Sequence, residues 1–386
     1  MLTILFPIVA FYPSQSGGPA NTVYWLTKAL VNKGYKPCIV TTDMGIPPGT
    51  VPLDRWLQTD AGSVMYTNES AYQFYRGTSN VYLFTPKLFL RALTRLPNAD
   101  IIHLSSFFHI PGALIGILAG LSGKRVFWSV RGEFDPGALS FSQRKKRMVI
   151  GLVKHLGLAS RVIFHATSNL EKAYVQDVFG KKVTVITIPN YMEMPALKPR
   201  NPATPYLLFI GRMHPIKGLD RLIQALDKSG TFRSSGFTLK IAGSFNAYTN
   251  EIKQQISELR LADQVEFLGQ IEGEAKQQLY ADAFVTLLPS HTENFGNVVI
   301  ESLAQATPVI ASTGTPWQLL AEEKAGCWVR NTPEELAKAI DALVAMPEAD
   351  YQAMRQRARA LVENQFDIAK NIDKWIACYR KADEVR

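Results

Sequence analysis

Short apolar runs bounded by turn residues alternate with stretches of helical spacing along most of the chain. Residues 2–10 read as a buried strand, and 21–32 follow with Val23, Leu26, Ala29 and Leu30 on one helical face. Runs at 37–41, 100–104, 125–130, 162–166 and 183–188 predict further strands. A second series predicts strands at 206–210, 238–242, 265–268, 283–288 and 308–311, with helices at 218–228, 247–260, 274–281 and 297–305. Such alternation means βαβ units and parallel sheets. Between the two series lie Pro195, Pro199, Pro202 and Pro205. Prolines this dense continue neither a helix nor a central strand, so 195–205 is the expected linker. The predicted architecture is α/β: two Rossmann-like, doubly wound domains, 1–195 and 206–367, with a cleft between them. Ligands of open α/β sheets bind at the carboxyl ends of the strands.

A chain of 386 residues, 47% apolar and 19% charged, has the composition of a globular protein and the length for two domains. Its start lacks a basic n-region and meets Tyr12-Pro13 at once, which argues for a buried first strand over a signal peptide. The apolar stretch 110–121 is shorter than the roughly 20 residues of a membrane span. Cys38, Cys327 and Cys378 are scattered, and the six histidines form no HExxH-like cluster. A reducing, cytoplasmic setting and no metal are therefore expected.

Charge is uneven. Residues 1–200 hold 22 Lys/Arg against 10 Asp/Glu, and the remainder 20 against 23, so the first half carries about +12 and the second about −3. Such a first half suits an anionic partner. Arg144, Lys145, Lys146 and Arg147 precede an apolar run in which Met148, Leu152 and Leu156 share a helical stripe. Peripheral contact of 144–154 with an anionic membrane at the inner face of the cytoplasmic membrane is one expectation. A core helix with a solvated basic end is the other. No nucleic-acid-binding module accompanies the charge, and no nucleic-acid partner is expected.

Two segments carry chemistry. In the first, the strand 206–210 leads into Gly211, Arg212, Lys217 and Gly218. A guanidinium fork and an ammonium suit a diphosphate, whose charge grows as it departs. In the second, Glu293, Asn294, Phe295 and Gly296 follow a strand, and Glu301 lies about two turns into the next helix. Two carboxylates so placed suit polyol hydroxyls, and Gly296 allows close approach to the backbone. Taken alone, the glutamates read equally as a cap and a satisfied helix carboxylate.

Together these blocks, with the strand end at 265–269, Pro308–Ala311 and the pair Gly17-Gly18 before the first helix, resemble glycosyltransferase family 4, retaining enzymes of the GT-B fold. The resemblance implies an acceptor-binding domain over 1–195, a nucleotide-sugar domain over 206–367, and a last helix, 368–386, crossing back to the first domain. It implies that Arg212 and Lys217 bind the donor diphosphate and Glu301 the ribose. Glu293, with the backbone of Asn294, Phe295 and Gly296, is implied to hold the transferred sugar's hydroxyls, and Val298 is implied as a further donor-binding residue. Gly269 and Ile271 are implied beside the base, Gly17 and Gly18 near the diphosphate, and Gly211 as a further donor-binding residue. No cofactor is implied; the donor is a nucleotide-diphosphate sugar, UDP before GDP-mannose.

One departure stands out. Many family members carry a His-Gly pair after a first-domain strand, and here Arg131-Gly132 occupies that place, followed by Glu133 and Asp135. A guanidinium stays protonated and is no general base. Arg131 is thus expected to stabilise phosphate or bind an anionic acceptor, with Glu133 or Asp135 orienting the acceptor hydroxyl; ion pairing within the cluster is the alternative. His103, at a strand end, is an acceptor-side candidate or a satisfied core histidine. Arg131, Arg212, Lys217 and Glu293 form the expected catalytic set. The Ser-x-Arg-Gly pattern and Gly314-Thr-Pro-Trp317 are similar to enzymes building bacterial surface polysaccharides, so a glycan or lipid-linked glycan acceptor in lipopolysaccharide, capsule or exopolysaccharide assembly is expected. The alternatives are a GT-B sugar-nucleotide epimerase and a non-catalytic sugar-nucleotide- or membrane-binding protein. A nicotinamide-dependent oxidoreductase lacks its G-x-G-x-x-G fingerprint here.

Overall fold

The computed structural model describes residues 1–14, 18–69, 85–140, 143–202 and 205–381. The chain forms two compact units, 1–193 with 368–386, and 194–367.

Unit 1 contains strands β1 (Thr3–Pro7), β2 (Lys36–Thr42), β3 (Trp56–Thr59), β4 (Gly62–Thr67), β5 (Ile101–Ser105), β6 (Arg125–Ser129), β7 (Val162–Ala166) and β8 (Val185–Thr187). They pair in the order β3-β4-β2-β1-β5-β6-β7-β8, parallel except for the β3–β4 hairpin. Its helices are α1 (Gly18–Asn32), α2 (Pro86–Arg95), α3 (Ile110–Leu121), α4 (Pro136–Ser140), α5 (Gln143–His155) and α6 (Asn169–Phe179). The strands β1, β2, β5 and β6 are buried on both faces, which is why they read as continuous apolar runs. On one face of the sheet α2, α3 and α5 share a core with Leu5, Val40, Leu104 and Trp128. On the other, α1 supplies Val23, Leu26 and Leu30.

Unit 2 contains β9 (Tyr206–Ile210), β10 (Thr238–Ala242), β11 (Val265–Gly269), β12 (Val285–Leu288), β13 (Val309–Ser312) and β14 (Gly326–Val329). They form a parallel sheet in the order β11-β10-β9-β12-β13-β14. In chain order its helices are α7 (Leu219–Lys228), α8 (Gly230–Ser234), α9 (Ala247–Glu258), α10 (Gly273–Asp282), α11 (Asn297–Leu303), α12 (Leu319–Glu322), α13 (Pro333–Val344) and α14 (Glu348–Gln365). Local chemistry starts them: Asn246 and Thr249 form a reciprocal capping box on α9, and Thr332 caps α13 ahead of Pro333. The strand order reverses between β9 and β12, the switch point at which open sheets bind ligands.

The described part of the proline-rich stretch is tied to the rest of unit 2. Lys198 N–H donates to Gln305 Oε1 at 2.9 Å and Asn201 N–H to Asp282 Oδ1 at 2.8 Å, while the Pro199 carbonyl accepts from Gln278 at 2.9 Å. Side chains thus satisfy a backbone that no ladder can.

The last helix, α15 (Ile368–Lys381), belongs to unit 1 and packs on α1. Its Ile368, Ile372, Trp375, Ile376 and Tyr379 enter the core formed with Phe6, Leu30 and Phe127. Trp375→Ala removes a large buried ring there. It is expected to destabilise unit 1 by about 3–5 kcal/mol in denaturant unfolding, and a loss below about 1 kcal/mol would contradict this packing.

Candidate functional site

At the switch point of unit 2 the loops after β9 and β12 lie side by side. His291 N–H donates to the Ile216 carbonyl at 2.8 Å, and Asn331 Nδ2 to the Pro289 carbonyl at 2.7 Å. Gly218 makes the approach possible: its φ is +66°, and an added Cβ would stand 2.0 Å from the Pro289 oxygen. Lys217 Nζ thereby reaches Glu293 Oε2 at 2.5 Å, with the two side chains only 14% and 16% exposed. Ser290 Oγ donates to the same oxygen at 3.1 Å.

Arg212 is exposed just beyond β9. His214 stands between the two cations in sequence and accepts from Ile216 N–H at 3.2 Å through Nδ1. Burial first, then Arg212 and Lys217, hold its pKa below the ordinary 6.5. The imidazole therefore registers the positive field of this turn. It lies inside the motif, yet the sequence reading passed over it.

Glu301 projects from α11 and is 12% exposed. Its Oε2 accepts from Lys276 Nζ at 2.7 Å and from the Tyr280 hydroxyl at 2.9 Å. Burial, followed by the Glu301 charge, raises the Tyr280 pKa well above its ordinary value. Lys276 and Tyr280, one turn apart on α10, are further partners of the site that sequence reasoning missed. Ile271 and Val298 pack on the same small apolar cluster as Tyr280, so these three come together. Gly211 and Gly269 close the ends of β9 and β11 on either side of β10, where Gly211 N–H bonds the Ala242 carbonyl at 3.0 Å and Gly243 N–H the Gly269 carbonyl at 2.7 Å. Asn294 and Gly296 flank Phe295 ahead of α11. The Phe295 ring is buried against Trp317 and Phe366, and its carbonyl accepts from Trp317 Nε1. The Phe295 ring therefore anchors this loop.

In unit 1, Gly18 opens α1, whereas Gly17 lies outside the described residues. Arg131 has φ +53° and donates from Nε to Ser105 Oγ and from Nη1 to Asn190 Oδ1, each at 3.1 Å. Burial pulls its pKa down to about 10, while Glu171 and Tyr379 act in the other direction. It remains a cation at neutral pH. The cluster expected around it is arranged differently. Glu133 accepts from Ser106 Oγ, Phe107 N–H and, at 3.1 Å, Phe108 N–H, so it pins the turn after β5. Asp135 Oδ1 caps α4 through Gly137 N–H at 2.8 Å and Ala138 N–H at 3.2 Å. The hydrogen-bond partners of Arg131 are Ser105 and Asn190, and the larger of the two influences that favour its protonation is Glu171, a residue outside the motif.

His103 also departs from its acceptor-side reading. It is 2% exposed, and both ring nitrogens are occupied. The proton order follows from one carbonyl. His165 Nε2 lies 2.8 Å from the Ile188 oxygen, which only accepts, so this nitrogen carries the proton. With the buried ring neutral, His165 Nδ1 accepts from Ser129 Oγ at 2.7 Å. Ser129 then accepts from His103 Nε2 at 2.8 Å, and His103 Nδ1 accepts from the Tyr379 hydroxyl at 2.7 Å. His103 is a link in a satisfied core chain.

Among known proteins, the family described as "Glycosyl transferase 4-like domain" matches residues 17–191, and "Glycosyl transferases group 1" matches 193–361. A glycosyltransferase of Haemophilus influenzae is 28% identical over 266 residues, covering 67% of this chain and 70% of the relative. Other curated relatives, 30% identical, are matched over only 35% and 40% of their length. Sucrose-phosphate synthase of Thermosynechococcus elongatus superposes with a TM-score of 0.78 at 21% identity, covering 100% of both chains. Anabaena HepE in complex with UDP and glucose gives 0.75 at 19% identity, covering 99% of this chain and 100% of that one. These structures share the fold.

The buried histidines set a pH dependence. Burial depresses His109 and His165 from 6.5 to about 3 and His103 well below 6.5. Between pH 6.5 and 3 the unfolded chain binds protons that the folded chain refuses. Stability is thus fully present above pH 6.5 and falls as the pH drops through that window. The raised carboxyls of Glu133 and Glu171 act oppositely above their ordinary 4.5, so the informative quantity is a difference between proteins. His109 caps α3 by accepting from Gly112 N–H at 3.3 Å, which an asparagine can also do. His109→Asn is expected to lose less melting temperature than wild type between pH 7.5 and pH 5; parallel losses would remove His109 from this account.

Proposed function

Because the chain belongs to the family 4 type of glycosyltransferases, with the GT-B fold, we propose that it transfers a hexose or N-acetylhexosamine from a nucleotide-diphosphate sugar to a glycan or lipid-linked glycan, with retention of configuration. The observation that carries the reading is the Lys217–Glu293 pair at 2.5 Å, with exposed Arg212 on the same loop after β9, at the switch point of the unit 2 sheet. Lys217 spends one N–H on Glu293 and has two more for phosphate oxygens, and Arg212 adds a planar fork. As the donor's glycosidic bond breaks, negative charge grows on the leaving diphosphate, where fixed cations act most strongly.

Glu293, held by Lys217 and Ser290, is assigned to the sugar hydroxyls, beside the backbone of Asn294 to Gly296. Glu301 is assigned to the ribose through Oε1, since Lys276 and Tyr280 both use Oε2. Gly269, Ile271 and Val298 would border the base. In unit 1, Gly17 and Gly18 are assigned near the diphosphate and Arg131 to an anionic group of donor or acceptor. UDP is the preferred nucleotide, in line with the HepE complex with UDP and glucose. The acceptor belongs to bacterial surface-polysaccharide assembly, and the chemistry runs without a metal. In the retaining step the departing phosphate oxygen takes the acceptor proton as the new bond forms on the same face, so the protein chiefly positions the reactants and stabilises charge.

A panel of nucleotide sugars is expected to raise the melting temperature of wild type with one donor, UDP-linked first. Lys217→Ala and Glu301→Ala are each expected to weaken that donor's binding at least about tenfold while circular dichroism stays native, the loss of one charged hydrogen bond. Unchanged affinity in both variants would remove the site. Product NMR with a trapped acceptor is expected to show the donor's anomeric configuration, and an inverted product would overturn the retaining reading.

A further inference from the structure

Helix α3 is apolar on every side, IPGALIGILAGL, without one charged side chain. A helix of that kind is ordinarily buried all round. Here Pro111, Ala113, Ile115, Gly116 and Ala119 face the sheet, and the axis is pressed so close that a Cβ on Gly116 would stand 2.5 Å from Leu104 Cδ1. The opposite side stays in solvent: Ile110, Leu114, Leu118 and Leu121 form one continuous stripe, with Leu114 41% and Leu121 57% exposed.

The two helices that share this sheet face repeat the pattern. On α2, Leu88 and Ala92 are buried, while Leu90 and Leu93 are exposed. On α5, Val153 points into the same core, whereas Met148 (71% exposed), Leu152 and, just past its end, Leu156 are exposed. Among the described residues of unit 1, most of the exposed large apolar side chains thus lie on three helices of one face.

The charge on these helices has one sign. Neither α2, α3 nor α5 contains an Asp or Glu; α2 carries three Lys/Arg and α5 five. Not all of them face outward. Lys146 turns inward to the Ala138 carbonyl at 2.5 Å and over the Phe108 ring, Lys87 pairs with Asp54 at 3.1 Å, and Arg95 lies over Trp56. Arg91, Arg144, Lys145, Arg147 and Lys154 are exposed among the leucines. Basic side chains interleaved with exposed leucines, without an acid among them, complement an anionic, apolar-cored surface.

We infer that the α2–α3–α5 face of unit 1 seats on an anionic lipid bilayer. The leucine stripe of α3 enters the boundary between headgroups and acyl chains, and the α5 and α2 cations lie over lipid phosphates. This face is broader than the 144–154 segment marked by the sequence, because α3, which has no charge to draw attention, supplies its centre. No helix of the described residues is long and apolar enough to cross a membrane, so contact of this kind is interfacial.

The test is flotation of the full chain with vesicles of phosphatidylglycerol and phosphatidylethanolamine, and with vesicles of phosphatidylcholine alone. It needs no donor or acceptor, so its failure leaves the transferase reading untouched. Wild type is expected to float with the anionic vesicles. Lys145→Glu with Arg147→Glu should lower that partition by more than about 25-fold, at roughly fivefold per cation. Leu118→Gln with Leu121→Gln should abolish the part of the binding that survives high salt. All four side chains are exposed, and unchanged melting temperatures verify the fold. Failure of wild type to float, or equal flotation of all three proteins, overturns the inference. Loss through the charge pair alone overturns the role of α3. A dimer in sedimentation velocity that the leucine pair dissociates assigns the face to a second copy of the chain instead.

Discussion

Lys217 and Glu293 meet where little water reaches them, and much of unit 2 is arranged around that meeting. Taking two charges out of solvent costs several kcal/mol per ion, and close contact with extra hydrogen bonds is what offsets it. The 2.5 Å contact and the Ser290 hydroxyl supply both. Contact requires the loops after β9 and β12 to run side by side, and that requires a backbone without a Cβ at Gly218, in the left-handed region. Trp317 and Phe366 hold the following loop through Phe295. A residue type, a left-handed glycine turn and an aromatic cluster therefore serve one geometry.

Glu301 repeats the device on α11, with Lys276 as its cation and Tyr280 as its hydroxyl. Each carboxylate is held by an ammonium and an O–H group acting on a single oxygen. Such anchoring fixes direction without using all the acceptor capacity, a fitting preparation for hydroxyl-rich ligands. Unit 1 treats its buried charges differently: Glu133 and Glu171 take backbone N–H groups and hydroxyls, and Arg131 takes a serine and an asparagine.

The strand series and the Arg212, Lys217, Glu293 and Glu301 blocks were legible because each lies on a strand-to-helix turn, where neighbours in sequence are neighbours in space. Lys276 and Tyr280 were not, since they reach Glu301 only through the packing of α10 beside α11. Asn190 and Glu171 approach Arg131 from 59 and 39–40 residues away, beyond any local pattern. His103 shows the limit from the other side. A histidine at a strand end looks the same in sequence whether it faces a substrate or a serine, and only its two occupied nitrogens decide. The β3–β4 hairpin was missed because its strands are 4 and 6 residues long and interrupted by a turn at Asp60.

The chain from Tyr379 through His103, Ser129 and His165 to the Ile188 carbonyl has a single direction, and its first donor comes from the final helix. A nascent polypeptide that has emerged only as far as residue 193 has every strand of unit 1 and still lacks the hydroxyl that completes this network. At ribosomal speeds of about 5–20 residues per second, the intervening stretch keeps His103 Nδ1 waiting for roughly ten to thirty-five seconds. Unit 1 is therefore sealed from its far end, and a ribosome must finish unit 2 before the first domain it began can close.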